Sequence, residues 1–309
     1  MKTAIVGYTG FVGSNICETT KFDAYYNSKN IEEAFGTCPD LLVYSGVRAE
    51  MYLANKYPEK DLEVIQNAID NIKRINPKRV VLISSIAVYN QTFGVDEDTV
   101  INKEESTAYG RNRRILEEWV EQNFEDHLIV RLPGIYGINL KKNFLYDMIN
   151  VIPAMLTEAK YNELSASSEL IKSHYQLQDN GFAKCIATEK ELRRELKSEF
   201  QKIGFTALLF TDSRGVFQYF NLAQLWSIIE KAIASNVRVL NVAVEPVTIA
   251  EIYSYVYDGK EFKNELNKPV PHFDFKTKYT TIFGGSNGYI IDKKTCLEQI
   301  KEFIIFESK

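Results

Sequence analysis

The chain of 309 residues sets 37 Lys and Arg against 41 Asp and Glu, a net charge of −4, so no basic surplus draws it to nucleic acid or to a membrane surface. Hydrophobic residues at 45% and charged residues at 25%, with 16 Gly and 8 Pro, exclude a disordered or fibrous polymer and leave apolar side chains for one large domain or two smaller ones. Cys17, Cys38, Cys185 and Cys296 lack paired spacing and no apolar run approaches the roughly 18 residues of a membrane helix, which argues against a disulfide framework, a zinc site and a membrane span; a cytoplasmic protein is expected.

Thr3-Ala4-Ile5-Val6 leads straight into Gly7-Tyr8-Thr9-Gly10-Phe11-Val12-Gly13 and the helix start Ser14-Asn15-Ile16, which reads as strand, tight turn and helix. Further strand-like runs lie at Leu41 to Tyr44, Val80 to Ile83, Leu128 to Leu132, Ala207 to Phe210 and Val237 to Val242. Between them, Leu62, Ile65, Ile69, Ile72 and Ile75 mark one helical stripe, and Ile115, Leu116, Trp119, Val120 and Phe124 another. Strands alternating with helices predict an α/β fold of Rossmann type, a doubly wound parallel sheet covered on both faces. From Lys141 to Gly204 the sequence turns helical and rich in charge, and the run Glu189 to Lys197 reads as a solvated helix face. The tail from Pro246 mixes short helices with the turn-forming run Gly284-Gly285-Ser286-Asn287-Gly288.

Three glycines between a strand and a helix let the backbone turn tightly and approach a pyrophosphate at the helix N-terminus, and the strand-loop-helix context is what such a motif requires. Residues 1–140 are therefore expected to form a dinucleotide-binding unit whose sheet is completed within 205–235. A second constellation is Ser84-Ser85 at the end of the Val80 strand, followed by Tyr109-Gly110-Arg111-Asn112-Arg113 at the start of the next amphipathic helix. Tyr109 and Arg113 stand i, i+4 and share one helix face.

On these residues the sequence resembles the extended short-chain dehydrogenase/reductase family, the NAD(P)-dependent epimerases and dehydratases that mostly act on nucleotide sugars. The Gly7 to Gly13 loop is similar to the family's TGxxGxxG, Ser84-Ser85-Ile86-Ala87-Val88-Tyr89 to its SSxxVYG, and Tyr109 with Arg113 occupies its YxxxK. Arg131-Leu132-Pro133-Gly134-Ile135-Tyr136-Gly137 is similar to its RxxxxYG segment, and Phe217-Gln218-Tyr219-Phe220-Asn221 is a weaker echo of its later strand-to-helix corner. The resemblance implies a Ser85 hydroxyl that holds the substrate oxygen, a Tyr109 phenol that passes a proton while hydride moves to or from nicotinamide, and Arg113 as the third catalytic group. It places NAD(P) along Gly7, Thr9, Gly10, Phe11, Val12 and Gly13, the loop Asn27, Ser28 and Lys29, the turn Ser45, Gly46 and Val47, and Ser84, Tyr109, Arg113, Pro133 and Gly134. A nucleotide sugar would meet Ser85 and Tyr109, with Arg48 or Arg214 on its phosphates. Residues 141–204 and 236–309 would make a smaller, mostly helical substrate lobe. The two apolar stripes would pair with a second copy into a homodimer, with Trp119 as an anchor.

Departures from the family narrow the chemistry. A phenol with an ordinary pKa near 10 must come down by about 3 to act as a base near neutrality, which takes roughly 4 kcal/mol of phenolate stabilisation. A cation one helical turn away can supply part of it. Arg113 stands where the family has Lys; it keeps the charge and can reach ribose hydroxyls, but it cannot give up a proton. Ser85 is followed by Ile86-Ala87 rather than acids, which disfavours a 4,6-dehydratase and favours an epimerase or ketoreductase. The end of the second strand, Tyr25-Tyr26-Asn27-Ser28-Lys29-Asn30, offers no acid for the adenosine ribose, and Ser28 with Lys29 favours NADP over NAD. His127, His174 and His272 have no ligand spacing, so no metal is expected. The rival function is an NAD(P)-binding sensor or scaffold that kept the fold with little turnover, for which Arg113 is the main ground.

Overall fold

In the computed structural model, which describes residues 1–179 and 181–308, six short strands form one parallel sheet. They are β1 (Thr3–Val6), β2 (Ala24–Tyr26), β3 (Leu41–Tyr44), β4 (Arg79–Ser85), β5 (His127–Leu132) and β6 (Val239–Asn241), in the order β2-β1-β3-β4-β5-β6. All four residues of β3 are buried, the continuous apolar run that a strand covered on both faces requires. On one face Ala4, Val6, Leu42, Tyr44, Val80 and Leu82 pack against α3 (Pro58–Ile75) and α4 (Ala108–Asn123). The alternate residues Ile5, Val43 and Val81 are equally buried and point to the opposite face. On the flank of the sheet away from α3 and α4, α1 (Phe11–Thr19) touches α5 (Leu225–Ala234), which in turn contacts β5.

The helices start and stop where local chemistry says they should. Pro58 opens α3 with Glu59 and Asp61 in its first turn, Lys73 and Arg74 lie in its last, and Asn76 ends it in a left-handed conformation. Thr107 caps α4, its hydroxyl accepting the Gly110 amide. Ile65, Ile72, Ile75, Leu116 and Val120 of the two stripes are buried against the sheet, while Leu62, Ile69, Ile115, Trp119 and Phe124 are partly buried around that core.

The chain divides into two units. The first holds Met1–Leu140, Val216–Val247 and Pro271–Gln299; the second holds Lys141–Gly215, Thr248–Val270 and the residues from Ile300 on. The sheet is completed by β6, outside the expected 205–235, because Val239, Leu240 and Asn241 pair in parallel with Ile129, Val130 and Arg131. Residues 236–247 and 271–299 thus go with the sheet rather than with the lobe. Ala207–Phe210 is a 3₁₀ turn and not a strand: the Leu209 amide closes on Thr206 and the Thr211 amide on Leu208, and Phe210 is left exposed. Within the second unit a small antiparallel sheet of Met155–Thr157, Phe182–Cys185 and Tyr175–Leu177 joins the expected helices. The charge run lies on the helix Lys190–Ile203, which buries Leu196 and Phe200 and turns its charges outward. Among the described residues no helix is long and apolar enough to cross a membrane, and no three His, Cys, Asp or Glu side chains gather as a metal would need.

Candidate functional site

The strand order places the crevice of a doubly wound sheet between β1 and β3, at their carboxyl ends. The turn after β1 is built there. Gly7 sits at φ +89° and its carbonyl accepts the Gly10 amide at 2.9 Å. A Cβ on Gly13 would run into that same carbonyl and into the Ser45 hydroxyl, so Gly13 is required for the protein's own packing. Gly10 differs: it is the N-cap of α1, has no capping side chain, and a Cβ there would meet only the Gly7 carbonyl, at 3.2 Å. With no side-chain cap, the first amides of α1 lack a capping partner, the arrangement that suits an anionic group. Asn15, legible in the sequence only as part of a helix start, is buried; its amide donates to the Phe11 and Ile138 carbonyls at 2.8 and 3.0 Å and its oxygen accepts the Ile138 amide at 2.9 Å. It ties the start of α1 to the turn after Tyr136.

Beside it, the Ser45 hydroxyl donates to the Val6 carbonyl at 3.0 Å and fastens the β3 turn to β1. Gly46 packs near Val6 and the Tyr44 ring, and Val47 lies against the core. In the loop after β2 the Asn27 side chain accepts the Lys29 amide at 2.9 Å and Asn30 accepts the Asn27 amide at 2.8 Å, which leaves Ser28 and Lys29 exposed. No acid stands at this strand end. Pro133 follows β5 directly, and Gly134 opens a short strand that pairs with Tyr219–Asn221.

The proton-transfer candidates are held more tightly. The Ser85 hydroxyl accepts the Ala87 amide at 3.2 Å as cap of the turn that ends β4. The Tyr109 amide donates to Asn55 of α2 (Met51–Lys56) at 2.9 Å, and the Tyr109 side chain is buried. The Arg113 guanidinium lies 3.8 Å from the centre of the Tyr109 ring. It is itself only 4% exposed; it donates to the Arg48 carbonyl at 2.6 Å and is ion-paired with Asp61 of α3. Burial pushes the Tyr109 phenol up from its ordinary value; the Arg113 charge and hydrogen bonds from Arg113 and Ser85 oppose this, and the Asp61 charge adds to it. The lowered phenol a base would need is therefore not what this protein's own residues provide. Arg113 Nε is buried with no hydrogen-bond partner among the described residues. Together with the open N-terminus at Gly10, that orphaned donor is what a dinucleotide's ribose and pyrophosphate would satisfy, so the residues present fit the cofactor.

Ser84, expected along the cofactor, turns the other way. Its hydroxyl donates to Glu117 Oε1 at 2.5 Å, and Glu117 also receives Arg131 Nε at 3.0 Å and Nη2 at 2.7 Å and Arg114 Nη1 at 3.0 Å. Arg131 continues to the Tyr89 hydroxyl at 2.7 Å, and Tyr89 meets Asn241 at the end of β6. This buried network joins the carboxyl ends of β4, β5 and β6 behind Ser85; Ser84, Tyr89 and Arg131 stand in sequence motifs, whereas Glu117 and Asn241 do not. Arg48 keeps its side chain exposed while its carbonyl holds Arg113. Arg214 belongs to the second unit, where Asp212 takes its Nε and Nη2 at 2.9 and 2.7 Å and Glu265 stands 3.3 Å away. A phosphate would have to displace two carboxylates there, which removes Arg214 from the candidate set.

The sheet order, the glycine turn and the Ser85, Tyr109 and Arg113 group define a Rossmann-type α/β protein with a dinucleotide-type crevice. Residues 24–184 match the NAD dependent epimerase/dehydratase family, and the chain belongs to that family. The match begins beyond the glycine turn. No curated protein matches the sequence. Similar solved structures include dTDP-4-dehydrorhamnose reductase from Bacillus anthracis str. Ames in complex with NADP, 15% identical with a TM-score of 0.64 over 99% of each chain. WbmG of Bordetella bronchiseptica in complex with NAD is 14% identical, TM-score 0.66, over 100% of this chain and 95% of that one. UDP-glucose 4-epimerase from Thermotoga maritima with UDP-glucose is 9% identical, TM-score 0.60, over the whole of both. At such identities the likeness is one of fold.

Proposed function

We propose that the protein is an NAD(P)H-dependent ketoreductase of a nucleotide sugar or a related keto-sugar, with Tyr109 as proton donor. The observation that carries this reading is the Tyr109 phenol, buried between Ser85 and Arg113 and raised above its ordinary pKa by that burial. A neutral phenol is competent to give a proton to a carbonyl oxygen and poorly suited to take one from a hydroxyl. The similar reductase bound to NADP supports it. A bound nicotinamide dinucleotide would supply the hydride to the carbonyl carbon. Ser85 would orient the carbonyl oxygen by hydrogen bonding, Tyr109 would deliver the proton that makes it a hydroxyl, and solvent would reprotonate the phenolate. Gly10 and the first turn of α1 would take the pyrophosphate, Arg113 Nε a ribose hydroxyl, and exposed Arg48 a substrate phosphate. The absence of an acid after β2, with Ser28 and Lys29 exposed there, favours NADP; Lys29→Ala should weaken NADP much more than NAD in calorimetry, and equal effects would sink that preference.

The test is turnover of a panel of 4-keto nucleotide sugars with NADPH and NADH. Tyr109→Phe should lose about 10²-fold to 10⁴-fold in kcat with little change in dinucleotide affinity. The sensor reading is favoured by Arg113, whose guanidinium is committed to Asp61. Dinucleotide binding with no turnover across the panel, in the native chain and in Arg113→Lys alike, would establish the sensor instead.

A further inference from the structure

We propose that Asp61, on the first turn of α3, is a positioning residue of this site: it captures the Arg113 guanidinium and so holds the Tyr109 phenol in its proton-donating form. The inference rests on Tyr109 being the proton donor. Asp61 lies 48 residues before Tyr109 and in no motif, yet its side chain is only 10% exposed and its Oδ2 accepts both Arg113 Nη1 and Asn112 Nδ2, the latter at 2.9 Å. Asn112 also donates to the Pro58 carbonyl at 3.2 Å, so the start of α3 grips α4 one turn beyond Tyr109. Arg113 is thereby fixed over the tyrosine ring, with its second nitrogen on the Arg48 carbonyl.

Two charges bear on the phenol, Arg113 from its own helix and Asp61 from α3. The turn after β4 contributes the neutral Ser85 and α2 the neutral Asn55, which binds the backbone and not the ring. A free buried cation at this distance would favour the phenolate. A carboxylate bonded to that cation cancels much of its field, and the buried pair presents little net charge to the ring. Asp61 is thus a partner that the Arg113 fork engages while still reaching the Arg48 carbonyl.

The experiment is an alkaline titration of the full chain carrying ¹³Cζ-labelled tyrosine, followed by NMR, with the Tyr109 resonance assigned by its loss in Tyr109→Phe. Asp61→Asn keeps the shape and an acceptor while removing the charge; the phenol should then titrate about 1 pH unit or more below its native position. Asp61→Glu should bring it back toward native. The alkaline limb of the reduction profile should move down by the same interval in Asp61→Asn. A Tyr109 titration unchanged in Asp61→Asn overturns the proposal. Should the unpaired guanidinium keep Asp61→Asn from folding, Arg113→Gln and the double variant Asp61→Asn/Arg113→Gln carry the comparison: the phenol should titrate lower in the double variant, and equal titrations overturn the proposal. Because the resonance is read without substrate, absence of turnover would fail the proton-donor reading alone, while an unmoved titration would fail Asp61.

Discussion

As the proposed proton donor, Tyr109 would act only while it holds its proton, and burial raises its phenol above the ordinary value near 10. A group that must be protonated is competent below its pKa and lost above it. Reduction should therefore persist through neutral pH and decline only in the alkaline range, a profile that kcat/KM against pH would display; a decline centred near pH 7 would contradict it. Arg113→Lys tests the cation. An ammonium keeps the charge and regains a transferable proton but gives up the fork that reaches Asp61 and the Arg48 carbonyl together. Turnover should be retained or increased if the site is catalytic. A different acid, the half-buried Asp147 in the second unit, has a carboxyl with no hydrogen-bond or ion-pair partner among the described residues, and desolvation pushes it up to about 7. The folded state then holds a proton that the unfolded chain has already released, so stability is full below about pH 4 and falls as pH rises toward 7. Asp147→Asn should raise stability at pH 8, by at most about 4 kcal/mol, and by almost nothing at pH 4, read from denaturant midpoints.

Between elements, what decides the site is how closely α4 is seated on the turn after β4. A Cβ on Gly110 would enter the Ala87 carbonyl, so Gly110→Ala must lift the helix that carries Tyr109 from the strand that carries Ser85. Overpacking of this kind costs about 1 to 3 kcal/mol, and turnover should fall well beyond that loss of stability, since the two hydroxyls no longer meet. Gly10→Val makes the contrasting case: a Cβ there meets only the Gly7 carbonyl, at 3.2 Å, so the fold should survive a small adjustment while calorimetry finds dinucleotide binding abolished. The difference between these glycines also marks what the sequence could disclose. The turn after β1, the Ser84-Ser85 strand end and the Tyr109 helix were legible because each is a local pattern whose spacing the backbone imposes. Asp61, Asn15 and the Glu117–Arg131–Tyr89–Asn241 chain were not, because their partners lie tens to more than a hundred residues away and only the folded sheet brings them together. Ser84 shows the same limit at close range: adjacent residues of a strand point to opposite faces, and nothing local tells which face holds Glu117. Ala207–Phe210 was misread for a third reason, since four apolar residues carry no period to separate strand from turn.

At the scale of the whole molecule, the open matter is what covers the outer side of α3 and α4. These helices of 18 and 16 residues are about 27 and 24 Å long, and side by side they offer a face of the order of the ~800 Å² that a stable interface buries per partner. Their inner residues are spent on the sheet, but Leu62, Ile69, Ile115 and Trp119 are only partly buried. Trp119 stacks edge-on with Phe124 at 5.8 Å, a rigid aromatic pair of the sort that anchors interfaces. On α4 and the loop before it, Arg114 binds Glu121 and Lys103 binds Glu118 at 2.6 Å, so these charges keep partners of their own when a second copy docks. A homodimer joined through a four-helix bundle of α3 and α4 is therefore expected, with sedimentation equilibrium at micromolar concentration giving twice the chain mass. Trp119→Asp would place an unpaired carboxylate on that face and should release monomers whose fold, read by circular dichroism, is unchanged, since the side chain is only partly buried at the edge of the core. A native chain that sediments as a monomer would mean that both stripes serve the sheet alone.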